Sequence, residues 1–204
     1  RRTEIIPILE KSDRIIRPAN LPASAAGKSF VVRASKAGPQ VAVISLLGRL
    51  FMKTITDCPF QAVDRVLRQI PSDVKIIVVD MHGEATSEKI AMGWHLDGRA
   101  SLLFGTHTHV QTADNCILPG GMAYISDVGM SGPFDSILGR RKDRVLPSLL
   151  TGMPYAYDVA SGDPRLCGII AGVDSSTGKA TRTERIVIDK TNSPCLELPE
   201  EEND

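Results

Sequence analysis

The chain reads as an α/β protein, a mixed sandwich with helices outside, and three observations carry that reading. Residues 40 to 47 (QVAVISLL) and 74 to 80 (VKIIVVD) are apolar runs of strand length, rich in β-branched side chains. Between them Phe60, Val63, Leu67 and Ile70 recur at helical spacing, introduced by Asp57 and Pro59 and stopped by Pro71 and Ser72. Toward the end, VDSSTGKATRTERIVID reads as a hairpin turning around Ser176, Thr177 and Gly178. Strand, helix, strand followed by a hairpin favours a mixed sheet over a purely parallel one.

The elements follow in order. The first two runs are apolar almost throughout, which predicts strands buried on both faces. HGEATSEKIAMGWHLDG predicts a helix capped by Thr86 or Ser87, with Glu88 in its first turn, Ile90, Ala91 and Trp94 on one face, and Gly98 as terminator. Residues 100 to 104 (ASLLF) predict a third buried strand that ends abruptly in GTHTHVQTAD, and residues 122 to 126 (MAYIS) a fourth. After the loop DVGMSGP, residues 143 to 150 predict a helix that Pro147 weakens, and residues 155 to 160 and 166 to 174 predict strands. One domain over residues 1 to 189 is expected, with a disordered polar tail from 190 to 204.

Composition narrows the function classes. The 204 residues carry 24 basic and 24 acidic side chains, so no overall field would gather nucleic acid or an anionic membrane. An anionic substrate must be held by a local device. No apolar run approaches the ~18 residues of a membrane span, and RRTEIIPILEK is too short and interrupted for a signal peptide, so a cytoplasmic protein without membrane contact is expected. Cys58, Cys116, Cys167 and Cys195 lie far apart without a C-x-x-C pair, which predicts reduced thiols.

The chemistry gathers around histidine. All four histidines fall between positions 82 and 109, and His82, His107 and His109 stand at or just beyond predicted strand ends, where α/β proteins place ligands. In an extended segment, Thr-His-Thr-His at 106 to 109 would aim both imidazoles the same way. Imidazole without thiolate suits Zn, Fe, Mn or Ni in a reactive site better than a structural zinc. A histidine after a strand is also an ordinary hydrogen-bonded residue, and His95, beside Trp94 near a helix end, is read that way. Asp80 and Glu84 flank His82 as ligands, orienting partners or plain polar residues. Ser126 and Asp127 lack the G-x-S-x-G elbow of a hydrolase nucleophile.

Longer motifs carry a resemblance. RPANLP, VISLLGRLFM with DCPF, VDMHGEATSEKIAMGWHLDGRAS, GTHTHVQTAD, ILPGGMAYISDVGMSGPFDS and LLTGMP, in that order from Arg1 to about Asp189, resemble the YmdB-like bacterial metallophosphoesterases of the calcineurin-like superfamily. The resemblance implies a four-layer α/β/β/α sandwich of mixed sheets. It also implies two divalent metal ions, Fe or Mn with Zn as a further option, for which His82 and His107 complete one site and His109 the other. Small phosphodiesters, 2′,3′-cyclic nucleotides among them, are the implied substrates, and a homo-oligomer is compatible with it. The family's G-D-x-x-G, G-E-N and G-N-H motifs do not occur in this sequence. Arg1 to Ile5 resembles the segment that follows G-N-H, so a chain lacking the N-terminal part of the domain, with little activity by itself, is expected. Two other readings stand beside this one: a non-catalytic interaction module that keeps the sandwich, and a mononuclear zinc hydrolase using the three histidines.

Overall fold

The computed structural model describes residues 3–36 and 38–192, so most of the expected tail, residues 193 to 204, lies outside the described residues. After a short 3-10 turn (Thr3–Ile5) and helix α1 (Ile6–Lys11), strand β1 (Phe30–Ala34) leads into β2 (Gln40–Leu47). Helix α2 (Pro59–Leu67), β3 (Ile76–His82), α3 (Thr86–Leu96) and β4 (Leu102–Thr106) alternate as expected. Short strands β5 (Cys116–Ile117), β6 (Ala123–Ile125) and β7 (Gly132–Pro133) precede helix α4 (Lys142–Thr151) and the ribbon β8 (Pro164–Val173) and β9 (Ala180–Ile188). The fold is therefore α/β, with a six-stranded sheet ordered β1-β2-β3-β4-β6-β5 and a three-stranded sheet ordered β7-β8-β9.

In the larger sheet β2, β3, β4 and β6 run parallel, while β1 and β5 close its edges antiparallel. Register pairs Ile44 with Val79 and Val79 with Leu103, so their side chains share one face. That face is fully buried and packs with Ala62, Val63 and Val66 of α2 and Met92 and Leu96 of α3. Each fully buried Val, Ile, Leu or Met contributes about 1.5–3 kcal/mol. The opposite face bears Val43, Ser45, Val78, Asp80, His82, Phe104 and Thr106, all only partly buried. The expectation of strands enclosed on both faces is thus corrected: burial alternates along β2, β3 and β4. Apolar side chains at Val43, Val78 and Phe104 made the sequence read as continuous.

Helix α3 corrects two further expectations. Its N-cap is Ala85, and neither Thr86 nor Ser87 provides a capping bond. Its inward face consists of Glu88, Lys89, Met92, Gly93 and Leu96, whereas Ile90, Ala91 and Trp94 face outward. Apolar periodicity pointed the wrong way because two buried positions are charged. Residues 155 to 160 form no strand; Val159 makes a single bridge to Arg140, and Arg141 N–H donates to the Asp158 carbonyl. The hairpin turn forms as expected, with Asp174 Oδ1 accepting from Ser176 N–H and Gly178 at φ 75°.

The chain divides into two compact units. One runs to Gly129 and resumes over Ile169–Arg185; the other comprises Met130–Gly168 and the described residues from Ile186. The histidines all belong to the first. Among the described residues no helix is long and apolar enough to cross a membrane.

Candidate functional site

Parallel pairing puts Leu47, His82 and Thr106 side by side at the C-terminal edge of the sheet, on its partly open face. Two residues inward, on the same face, lie Ser45 and Asp80. The polar edge of an otherwise apolar sheet is therefore a consequence of register, and it gathers a chain of hydrogen bonds.

Asp80 accepts at both oxygens, from Ser45 Oγ at 3.2 Å and from Thr106 Oγ1 at 2.9 Å. The Thr106 hydroxyl has then used its proton, so the 3.0 Å contact with His82 Nδ1 requires the imidazole to donate there. This network assigns the tautomer: His82 carries its proton on Nδ1 and presents the lone pair of Nε2 outward. Opposite that lone pair, at 3.1 Å, stands Nδ1 of His107. The two rings meet edge to face, with centroids 4.8 Å apart. His107 Nε2 in turn lies 3.0 Å from Glu84 Oε2. Glu84 thus sits where an orienting partner would, on the ring nitrogen remote from His82.

Electrostatics follow the geometry. Burial holds the Asp80 carboxyl above its ordinary value, the hydrogen bonds from Thr106 and Ser45 and the charges of His82 and Lys89 offsetting only part of it. Burial, with the neighbouring His107, pushes His82 down and favours its neutral, metal-binding form.

The donor chemistry bears on a metal. Two imidazole nitrogens each ~2.0–2.1 Å from one ion at an angle of roughly 100° stand about 3.1 Å apart, the separation His82 and His107 already have. Among the described residues, however, no group of three or more His, Cys, Asp or Glu side chains is arranged to hold an ion. The pair fits as part of a ligand set and not as the whole of one.

The turn after β4 departs from the sequence expectation. His107 has φ 121° and His109 φ 66°, so residues 106 to 109 are not extended and period two does not align the two imidazoles. His109 lies exposed, two residues farther along. His95 bridges helices instead: its Nε2 contacts Asp64 Oδ1 at 3.0 Å, and its ring packs edge-on against Phe60.

Several buried polar groups hold the strand exits, and sequence reasoning missed their role. Asn20, fully buried, donates to the carbonyls of Leu47 and Asp57 and accepts from Leu47 N–H. Glu88 accepts from the N–H groups of Arg49 and Leu50. Lys89 pairs with Asp127 at 3.0 Å, both fully enclosed. Burial pushes the Asp127 carboxyl up, but N–H donors of Thr108 and Gly129 together with Lys89 outweigh it and leave it below the ordinary value. Ser126, itself buried, donates to Asp114 Oδ2 and shares a hydrogen bond with the Tyr124 hydroxyl. The adjacent motif RPANLP and the inward charges of SEKIAM were the available signals.

The mostly parallel α/β sheet, with histidine, carboxylate and hydroxyl groups at its strand ends, is a fold shared with a solved phosphatase. The structure superposes on that of a novel phosphatase from Mycoplasma pneumoniae with a TM-score of 0.82 at 32% identity, covering 92% of this chain and 68% of that one. It also superposes on a hypothetical protein from Thermus thermophilus, with a TM-score of 0.83 and 36% identity over 92% of this chain and 72% of the other. In sequence it is 44% identical over 188 residues to the 2′,3′-cyclic-nucleotide 2′-phosphodiesterase of Bacillus subtilis (strain 168), covering 92% of this chain and 70% of that protein. The YmdB-like protein family model matches residues 1–186, and the chain belongs to that family.

Proposed function

We propose that this chain carries the histidine side of a metal-dependent phosphodiesterase centre acting on small phosphodiesters, 2′,3′-cyclic nucleotides among them. The observation that carries the reading is the relay from Asp80 through Thr106 to His82, which aims Nε2 at a point shared with His107. Similarity to a 2′,3′-cyclic-nucleotide 2′-phosphodiesterase supports the substrate class.

His82 and His107 would hold one divalent ion and His109 would serve a second, with Fe or Mn, and Zn as a further option, as the family resemblance implies. Bound divalent ions in such a centre supply charge to the phosphate oxygens and lower the pKa of water. The chain's own residues do the rest. Asp80 and Thr106 keep the His82 proton on Nδ1, and Glu84 orients the His107 ring. Because a bridging carboxylate and an acid for the leaving oxygen are not supplied by G-E-N or G-N-H motifs here, turnover by the 204 residues alone should be slight.

Titration of the chain with Mn²⁺, followed calorimetrically and by electron paramagnetic resonance, tests the reading. Binding should occur in the wild type and be lost in His82→Ala and His107→Ala. Equal binding by all three would remove the assignment. Hydrolysis of bis-p-nitrophenyl phosphate and 2′,3′-cyclic AMP with Mn²⁺ or Fe²⁺ supplies the second measurement: full activity in His107→Ala would overturn the proposed role, and a chain with neither binding nor turnover would favour an interaction module.

A further inference from the structure

We infer that Lys89 and Asp127 are positioning residues for His107: this buried ion pair fixes the turn that leaves β4, and through it the imidazole that meets His82. The inference rests on the proposed function only for what the histidines do.

Both side chains are shut off from solvent, Lys89 at 0% and Asp127 at 1% exposure. Taking two charges out of water is costly, and an apolar pair of similar volume often serves stability equally well. A buried pair is therefore better explained by what it holds in place. Asp127 Oδ2 accepts from Lys89 Nζ at 3.0 Å and from Thr108 N–H at 2.9 Å, while Oδ1 accepts from Gly129 N–H at 2.9 Å. Its own N–H donates to Thr112 Oγ1, and its carbonyl accepts from Thr112 N–H. One residue thus ties down Thr108 and Thr112 at the two ends of the stretch that includes His109.

That stretch needs an anchor. His107 and His109 both sit at positive φ, a region that side-chain-bearing residues adopt only when their surroundings over-determine it. Asp127 is directly bonded to the residue between them. Lys89 reaches the site from α3 by passing under β4, where a Cβ added at Gly105 would stand 2.8 Å from its Cδ. Glycine at 105 leaves room for the lysine stem two residues before His107. The preceding residue of the helix, Glu88, holds Arg49 and Leu50 at the exit of β2, so α3 governs two strand exits with consecutive charges.

The test uses the whole 204-residue chain labelled with ¹⁵N, in wild-type, Lys89→Met and Asp127→Asn forms. Asn keeps one acceptor oxygen and the shape of Asp, so it is the milder variant. In both, exchange of the Thr108 amide should quicken by at least about tenfold, and the proton–proton contact between the His82 and His107 rings should be lost. Central amides of Val79 and Leu103, paired in the sheet, should keep their protection. Mn²⁺ affinity of the same chain should fall by roughly tenfold or more. Persistence of the ring contact in both variants would overturn the inference, and so would loss of the central amides in step with Thr108 or failure of both variants to fold, since the pair would then serve only the core. Absence of Mn²⁺ binding in the wild type would count against the proposed function and leave the ring-contact result standing.

Discussion

Nε2 of His82 faces Nδ1 of His107 across 3.1 Å, and the proton on the far side of His82 is directed through Thr106 to Asp80. Each ring is oriented from behind by a carboxylate, Asp80 through a hydroxyl and Glu84 directly. This makes the hydroxyl of Thr106 a testable part of the site.

Thr106→Val keeps the β-branched shape and removes the hydroxyl. It should weaken Mn²⁺ binding by about 10–100-fold, because an unanchored imidazole loses its fixed tautomer and orientation. Urea unfolding should move little, since Thr106 lies at a strand end and is only partly buried. Unchanged Mn²⁺ affinity by calorimetry would show that the relay is incidental.

Gly105→Ala should be among the most damaging single changes. A Cβ there would stand 1.7 Å from the Ser126 carbonyl oxygen and 2.8 Å from Lys89 Cδ, so both backbone and the buried lysine would have to shift. Overpacking of a core site typically costs about 1–3 kcal/mol, and contact with rigid backbone places this substitution at or beyond the upper end. Loss of the cooperative urea transition, or a large fall in its midpoint, is the expected result.

Glu88→Gln should loosen the exit of β2. The buried carboxylate accepts from Arg49 and Leu50 N–H groups at 3.0 to 3.3 Å, and an amide replaces one acceptor oxygen by a donor. A hydrogen bond to a charged acceptor contributes about 1.5–3 kcal/mol, so weakening these should be measurable. Hydrogen exchange at Arg49 and Leu50 should accelerate more than at Ile44.

Acid should expose the contribution of Asp127. Its carboxyl is held below the ordinary 3.8, so the folded state binds its proton later than the unfolded state does. The stability this confers is fully present above 3.8 and is lost as pH falls through the lowered value. Urea midpoints measured from about pH 5 down to about pH 3 should therefore fall less steeply in Asp127→Asn than in the wild type.

The α/β class, the order of the main strands and helices, and the gathering of histidines at strand ends were legible in the order of residues along the chain. Those features rest on local pattern: β2 begins and ends where QVAVISLL does, and α2 (Pro59–Leu67) falls within the expected helical stretch, although its buried stripe is Pro59, Ala62, Val63 and Val66. Which face of each strand is enclosed depends on long-range pairing, because Val43 and Val78 look alike with Ile44 and Val79 until register assigns them to opposite sides. Long-range pairing also decided the partners of the site. Ser45, Asp80 and Thr106 lie far apart in the chain and meet only through parallel pairing, which periodicity cannot specify. The inward charges of α3 and the positive φ angles of His107 and His109 were hidden for the same physical reason: each is unfavourable locally and is sustained by hydrogen bonds from distant residues.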